Sequence, residues 1–289
     1  MMRIKVILLF FLILCVIVTM TIAQRRGGSF PRGQSFQRGR SFLRGEQQLR
    51  SDFQTWEIDP EFKDDVFTFV RIEYDSSGAF SMTEGWDNDY PDADWNFSYR
   101  LHQLTSLNVN PESKIIRLTD PELADYPFIY MSGVQRIRLN TPEQTALRKY
   151  LLNGGFVMMS DFWNPDGWAN MLNQMRGVFP DREPVELKLD HPIFHFVFDL
   201  KELPQIPDIH TWMGGQSFEY YHGSSVGDEA PHFWSYFDDK GRMVALICHN
   251  NDVGDGWERE GENKDYFHEY AEKHSYPMGI NVVMYALTH

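Results

Sequence analysis

Residues 141–162 read TPEQTALRKYLLNGGFVMMSDF, and this stretch predicts a helix, a turn and a buried strand in succession. Thr141 supplies an N-cap hydroxyl, a proline follows at the first helical position, and Gln144 stands at the third, as in a capping box. Asn153-Gly154-Gly155 ends the helix with residues that tolerate left-handed dihedrals. The apolar run 156–159 is typical of a parallel strand covered on both faces.

The flanking sequence repeats this alternation of strands and helices. Further strand-like runs lie at 66–72, 115–116, 128–131, 193–198 and 244–247. Helical spacing of apolar residues predicts helices over 94–107 and 279–287, and Asp94 would cap the first of them. Asp120-Pro121-Glu122 is the start of a further helix. The alternation predicts an α/β fold in three layers, with a mostly parallel doubly wound sheet and sites at the carboxyl ends of its strands.

Charge divides the chain into two parts. The 289 residues carry a formal net charge of −14. Residues 1–50 hold nine basic residues and one acid, a net charge of +8, whereas residues 51–289 hold 18 basic and 40 acidic residues, a net charge of −22. Such an acidic body argues against nucleic acid as a partner, because phosphate binding needs a basic face. With Cys15 and Cys248 as its only cysteines, the chain has no disulfide scaffold.

Residues 1–23 have the features of a secretory signal peptide. Arg3 and Lys5 precede the apolar run 6–20, and small residues before and at Ala23 suit cleavage there. The run is shorter than the ~20 residues usually needed to cross a bilayer. The alternative is an uncleaved N-terminal anchor. Either way we expect an exported protein, periplasmic or membrane-tethered.

Residues 24–50 are predicted to be a disordered Arg/Gly-rich tether. The unit R-G-x-S-F-x occurs three times within 26–45, starting at Arg26, Arg32 and Arg38, with no acid among the copies. Glycine and arginine leave too little apolar surface for a core. Direct contact of residues 24–45 with an anionic membrane is the alternative to a plain tether. Residues 51–289 are predicted to form a single α/β domain.

Six ordered blocks of the domain carry a resemblance to a known family. They are Tyr90-Pro91-Asp92-Ala93-Asp94, Tyr99-Arg100-Leu101 with Leu104-Thr105, Tyr126-Pro127-Phe128, Gly154-Gly155-Phe156 with Ser160-Asp161, Asp190-His191-Pro192, and Asn250-Asn251-Asp252 with Gly256-Trp257. The blocks resemble DUF4159, a bacterial family of exported or membrane-attached proteins without an assigned activity. The resemblance implies a class I glutamine amidotransferase-like fold, which is flavodoxin-like, and a more distant similarity to ThuA-like proteins.

The resemblance also implies that Ser160 and Asp161 lie at the turn that holds the nucleophile in amidotransferases. Those enzymes have a cysteine between glycines at this turn, whereas this chain has Ser160 with Met158 and Phe162 at the glycine positions. A strand-to-helix elbow needs small neighbours so that the nucleophile can project. Hydrolysis of glutamine by a cysteine is therefore excluded here, and the large neighbours argue against a serine nucleophile.

A polar loop follows the strand predicted at 244–247, where the strand-end rule places a site. His249 is a candidate base or ligand-binding histidine oriented by an acid such as Asp252, and the alternative is a turn rich in Asn, Asp and Gly. The candidate catalytic residues are Ser160, Asp161, His249 and Asp252. The candidate ligand-binding residues are Asn250, Asn251, Asp255, Trp257 and Trp163.

The remaining patterns favour structural roles. Asp87, Asp89, Asp92 and Asp94 lack the glycine and the terminal acid of an EF-hand, which favours a solvated loop before a capped helix. His191 and His195 lack a third zinc ligand, and Cys248 is expected in the core. The tryptophans are expected mainly to pack rather than to form exposed platforms for sugars. No metal site and no cofactor is predicted.

Three classes of function are compatible with these patterns. The first is a non-amidotransferase domain of the cell envelope that binds a ligand or an envelope protein. The alternative is a hydrolase acting on an envelope carbohydrate or related polymer through Asp161, His249 and Asp252. A third class, an electrostatic membrane adaptor, would depend on residues 24–45.

Overall fold

The structure is a computed structural model that describes residues 53–63, 65–76, 85–220 and 227–289. The predicted signal peptide, the predicted R-G-x-S-F-x tether and Cys15 lie outside these residues, so the predictions about them stay predictions. Within the described ranges, none of the helices combines the length and the apolar character that crossing a membrane requires.

A mostly parallel sheet forms the centre of the domain, as predicted, and it has seven strands. The strands are β1 (Val70–Glu73), β2 (Asp75–Ser76), β3 (Lys114–Arg117), β4 (Phe128–Met131), β5 (Ile137–Arg138), β6 (Phe156–Met159), β7 (Val185–Leu187), β8 (His232–Phe237) and β9 (Met243–His249). The sheet order is β3-β1-β4-β6-β9-β8-β7, and β2 pairs with β5 in a separate antiparallel ribbon. The first five strands of the sheet are parallel, while β8 and β7 add an antiparallel edge.

The helices lie on both faces of this sheet. They are α1 (Asp92–Leu104), α2 (Thr141–Leu152), α3 (Asn164–Val178), α4 (Ile209–Met213), α5 (Val253–Glu258), α6 (Lys264–Tyr266) and α7 (Tyr276–Thr288). The π-helical segment Phe267–Ser275 joins α6 to α7, and 3₁₀ turns lie at Pro60–Phe62, Pro121–Asp125, Val134–Arg136 and Pro192–His195.

Alternating strand residues build two cores, one on each face of the sheet. Phe69, Tyr130 and Met158 pack with apolar residues of α1 and α7, in what we call the first layer. Ile72, Met131, Met159 and Ile247 pack with α2 and α3 in the second layer. Because both faces are covered, the central strands are apolar at every position, which is why 128–131 and 156–159 are recognisable as strands.

Two helix starts differ from the prediction. The N-cap of α2 is Asn140, whose side chain accepts a hydrogen bond from Glu143 N at 3.0 Å, while the Glu143 carboxylate accepts one from Asn140 N at 2.9 Å. This capping box lies one residue before the predicted one at Thr141. The α1 helix begins at Asp92, and Asp94 is not its cap but the partner of Arg71 in a buried ion pair.

The strand predicted at 193–198 is wrong. Pro192–His195 is a 3₁₀ turn, capped by the His191 ring, which accepts a hydrogen bond from Ile193 N at 3.2 Å. A proline at the first position and a local cap outweigh the β-propensity of the apolar residues that follow. His195 contacts the Asp199 carboxylate at 2.6 Å, so each histidine serves a local contact.

Candidate functional site

The carboxyl ends of four parallel strands bring the candidate residues to one edge of the sheet. Strand β1 leads to Tyr74, β4 to Ser132, β6 to Ser160 and Asp161, and β9 to the segment 249–252. Because β1 lies between β3 and β4, the connections leave it in opposite directions, and the strand ends of β1 and β4 form a topological switch point. The loop 85–91 returns to this edge before α1.

Four non-glycine residues at this edge have left-handed backbone conformations. Their φ angles are +61° at Asp89, +57° at Asp161, +61° at Asn164 and +56° at Asn250. Such conformations cost free energy and persist where the surrounding structure enforces them, often at functional sites. The strand ends β6 and β9 and the loop 85–91 therefore share a locally strained geometry.

Ser160 is held in place by hydrogen bonds inside the protein. Its side chain is completely buried, and its hydroxyl accepts from Val253 N at 3.1 Å and faces Asn251 O at 3.4 Å as a donor. The hydroxyl thus joins the end of β6 to the start of α5. A serine nucleophile needs an exposed oxygen and an adjacent base, and this environment supplies neither.

Asp161 lies next to Ser160 and belongs to a group of buried carboxylates. One carboxylate oxygen each of Asp89, Asp161 and Asp252 lies within 4.8 Å of the others. Asn88 Nδ2 donates to Asp161 Oδ2 at 2.6 Å, and Ser132 Oγ reaches the same oxygen at 3.3 Å. Asp252 caps α5 by accepting from Asp255 N at 2.9 Å. These three carboxylates, from three separate segments, are the acidic centre.

A second group shares Asp89 and extends along α5. Oxygens of Asp89, Asp255 and Glu258 also lie within 4.8 Å of one another. Asp255 is well satisfied, because it accepts from Ile209 N at 3.0 Å and from Tyr266 Oη at 2.7 Å, and Arg259 Nε lies 3.2 Å from its other oxygen. Glu258 Oε2 lies 2.8 Å from Arg259 Nε.

Burial and mutual repulsion make full ionisation of these acids unfavourable. Burial, and then the charges of Asp161, Glu258 and Asp255, raise the pKa of Asp89 well above its usual range. Burial also raises the pKa of Asp252, with further contributions from Asp161 and Asp89, and it raises the pKa of Glu258 to about 7. The site therefore favours protons or another positive charge among its oxygens.

Arg71 orders the loop that carries Asp89. Its buried guanidinium donates through Nε to both Asp94 oxygens, at 3.0 and 3.1 Å, and through Nη1 to the carbonyls of Trp86 and Asn88 at 2.9 and 2.8 Å. The same group lies 5.1 Å from the centroid of the Tyr130 ring. Arg71 thus fixes the backbone on both sides of Asp87 and so positions Asp89.

His249 faces the second layer, whereas the acidic centre adjoins Tyr130 of the first. Its ring packs against Phe162 and Trp168, and its Nε2 contacts Asn164 O at 3.0 Å. Burial lowers the pKa of His249 to about 4, and the charges that act on it are those of His232 and Asp228. The structure therefore brings Asp161 and Asp252 together but surrounds His249 with a different set of groups.

The other predicted ligand-binding residues are buried beneath this edge. The Asn250 amide bonds Asn164 N and the carbonyls of Asp228 and Ala230, and the Asn251 amide bonds Ile206 N and Pro204 O. Trp163 and Trp257 are completely buried, with Trp257 packed against Phe97. These buried residues thus hold the backbone at the strand ends in place.

An open cleft of about 900 Å³ lies beside the loop 85–91. Tyr74, Trp86 and Asp87 line it on the side of that loop, and Arg117 and Arg138 line it elsewhere. Its wall includes Tyr74, the residue after β1, and the cleft therefore adjoins the switch point.

Sequence reasoning placed Glu258 in the polar loop of the expected site but did not find Asp89, Tyr130 or Arg71 as members of it. In the sequence Asp89 stands among acids that fail the EF-hand pattern, and that pattern says nothing of distant partners. In the sequence, only the strand-end rule and the acids at 252, 255 and 258 indicated a site to which Asp89 could belong.

Comparison with models of protein families gave a match. The family model described as a domain of unknown function, DUF4159, matches residues 68–287. A search of curated proteins found no match.

Proposed function

The chain belongs to the DUF4159 family, and from this premise we propose that it is an exported cell-envelope domain that binds a ligand or protein partner without amidotransferase chemistry. The finer fold class, class I glutamine amidotransferase-like, is part of the proposal. The strand order β3-β1-β4-β6-β9 supports it, because the parallel strands then follow the flavodoxin-like order. The unit of α2, Gly154-Gly155 and β6 leading to Ser160 supports it as well.

One observation carries the statement that the chemistry is not that of an amidotransferase. The residue at the nucleophile turn is a serine whose hydroxyl is buried and bonded to backbone groups on both sides. The only cysteine among the described residues, Cys248, is also fully buried, and burial raises the pKa of its thiol. Neither group can attack a substrate from where it lies.

Turnover assays test this statement. The full-length chain, supplied with glutamine, p-nitrophenyl acetate and p-nitrophenyl glycosides, should give rates equal to the buffer blank. Turnover that Ser160→Ala abolishes, and that the control Ser98→Ala retains, would refute it. Ser98 is a suitable control because it is also a completely buried serine, bonded to Asp94 O on α1.

Ligand binding is proposed for the cleft of about 900 Å³ that Trp86 lines. Trp86 is half-buried, so a ligand in the cleft would change its fluorescence. N-acetylglucosamine oligosaccharides are suitable probes for envelope carbohydrate. A saturable change in tryptophan emission that Trp86→Phe removes and Trp212→Phe retains would support the cleft. A change that persists in Trp86→Phe would contradict it.

The second candidate function, a hydrolase of envelope carbohydrate, is favoured by the pair Asp161 and Asp252. One oxygen of each lies within 4.8 Å of the other, a separation that does not exceed the ~5–5.5 Å between the two carboxyl groups of retaining glycosidases. Glycoside turnover that is lost in Asp161→Asn and Asp252→Asn, and kept in the exposed control Asp166→Asn, would establish it. His249 would then have no direct role, because its contacts are with other groups.

Export is proposed from the sequence alone. The measurement is the intact mass of the protein recovered from cells with an envelope. A mature chain that begins at Gln24 agrees with the signal peptide, and a chain that keeps Met1 in the membrane fraction agrees with the anchor. Full-length protein in the cytosolic fraction would contradict both.

A further inference from the structure

Two polar atoms beside the acidic centre have no hydrogen-bond partner among the described residues. They are the hydroxyl of Tyr130, a completely buried residue, and Oδ2 of Asp89, a residue that is 7% exposed. Buried polar atoms nearly always have a partner, so two adjacent exceptions call for an explanation. A bound species that is coordinated by oxygen atoms would explain why both lack a partner.

Gly254 shows that the two atoms converge. A Cβ placed on Gly254 would lie 2.4 Å from Asp89 Oδ2 and 2.9 Å from Tyr130 Oη. Any other residue at this position would collide with both oxygens. The absence of a side chain at Gly254 therefore lets a carboxylate oxygen and a phenol hydroxyl lie within 3 Å of one point.

The carboxylates around this point have the spacing of a cation's ligands. Oxygens of Asp89, Asp161 and Asp252 lie within 4.8 Å of one another. Oxygens bound to Ca²⁺ at about 2.3–2.6 Å lie at most about 5 Å apart, and those bound to Mg²⁺ at about 2.1 Å lie at most about 4.2 Å apart. One Ca²⁺ ion is compatible with this upper limit, while Mg²⁺ requires the shorter separations that the limit also allows.

The arginines near the centre are bound to other acids. Arg71 pairs with Asp94, and Arg259 lies against Asp255 and Glu258. The negative charge of the acidic centre thus exceeds the positive charge that these arginines bring to it. Buried carboxylates in such excess are stabilised by a metal ion or by protonation.

We propose that Asp89, Asp161 and Asp252, together with the Tyr130 hydroxyl, bind one divalent cation that prefers oxygen ligands, Ca²⁺ or Mg²⁺. The donor set contains only oxygen, which these ions prefer and which does not suit softer metals. The cation joins the loop 85–91 to the ends of β6 and β9. This proposal goes beyond the proposed function, because the cation binds whether or not the neighbouring cleft takes a ligand.

Titration calorimetry on the full-length chain tests the proposal. The protein is treated with EDTA, dialysed, and titrated separately with CaCl₂ and MgCl₂, and its melting temperature is recorded with each. We expect one saturable site for at least one of the two ions and a higher melting temperature at saturation. No saturable binding up to about 10 mM of either ion, above the weakest range of extracellular Ca²⁺ modules, would overturn the proposal.

The variant Asp89→Asn and a matched control test whether the cation binds at the acidic centre. Asp89→Asn should weaken binding at least tenfold, and its metal-free form should melt no lower than the wild type, because a buried charge is removed. The control Asp87→Asn changes an exposed acid two residues away and should bind as the wild type does. If Asp87→Asn weakened cation binding as much as Asp89→Asn does, the proposal would be overturned.

Tyr130→Phe keeps the ring and removes only the unpartnered hydroxyl. We expect a folded protein whose cation affinity is several-fold weaker. If Asp89→Asn does not fold, this variant still decides the matter, because unchanged affinity in Tyr130→Phe would then contradict the ligand set. Failure of cation binding would leave the turnover and fluorescence tests of the proposed function unaffected.

Discussion

Replacing Arg71 with methionine is expected to destabilise the protein far more than replacing a charged residue at its surface. Arg71 and Asp94 are both completely buried, and the guanidinium makes five hydrogen bonds, three to Asp94 and two to carbonyls of the loop 85–91. The methionine side chain fills a similar volume but leaves Asp94 without a counter-charge. It also leaves the carbonyls of Trp86 and Asn88 without their donor.

The size of the effect follows from these contacts. Breaking a buried ion pair by removing one partner costs about 3–5 kcal/mol. Replacing both partners, as in Arg71→Met with Asp94→Leu, removes the unpaired charge and should recover most of that loss. The two loop carbonyls still lack a donor, so about 1–3 kcal/mol should remain. Because a domain of this kind is stabilised by only about 5–15 kcal/mol, the single variant should be close to unfolding at 37 °C.

Urea unfolding followed by circular dichroism at 25 °C, with EDTA present, measures these free energies. The control is Arg117→Met, which breaks partly exposed pairs with Glu73 and Asp75 and should cost no more than about 1 kcal/mol. A loss below about 1 kcal/mol for Arg71→Met, or a double variant as unstable as the single one, would show that the buried pair does not hold the loop.

Three further exchanges test the contacts of Ser160, His249 and Gly133. Ser160→Ala leaves Val253 N without its buried acceptor and should lower the free energy of unfolding by about 1–3 kcal/mol in urea titrations, and an unchanged value would contradict the bonding described. Burial lowers the pKa of His249 to about 4 from 6.5, so the histidine is neutral in the folded protein. As the pH drops from 6.5 to 4, the unfolded chain takes up a proton on this histidine before the folded protein does. The free energy of unfolding should therefore fall over this range by up to ~3 kcal/mol. In His249→Gln that part of the pH dependence should disappear from melting curves, and an unaltered acid-side slope would refute it. Gly133→Ala should lower the melting temperature more than Gly241→Ala, because both glycines have positive φ but only the first would place a Cβ 2.6 Å from a backbone oxygen, and equal shifts would contradict this.

The sheet could be predicted from the sequence because its strands depend on local composition. Phe128–Met131 and Phe156–Met159 are uninterrupted apolar runs, and the structure places β4 and β6 at those residues. Burial on both faces removes polar residues from such strands, so the run itself marks their ends. The 3₁₀ turn at Pro192–His195 was mistaken for a strand because apolar composition alone does not distinguish a strand from a capped turn.

The candidate site was predicted only in part, since its residues come from distant segments. Asp161 and Asp252 follow predicted strands, so the strand-end rule indicated both. Asp89 lies in a loop whose path depends on Arg71, and no local pattern links a strand arginine to that loop. His249 was grouped with Asp252 because they are close in sequence, but the alternation of β9 directs its ring to the second layer.

A crystal of the full-length chain grown with MnCl₂ would show whether the acidic centre binds a divalent cation. Manganese takes oxygen ligands as Mg²⁺ and Ca²⁺ do, and its anomalous scattering identifies it. We expect one anomalous peak within about 2.1–2.6 Å of oxygens from Asp89, Asp161 and Asp252. An anomalous map with no peak among these carboxylates, or with manganese bound only elsewhere on the protein, would contradict it.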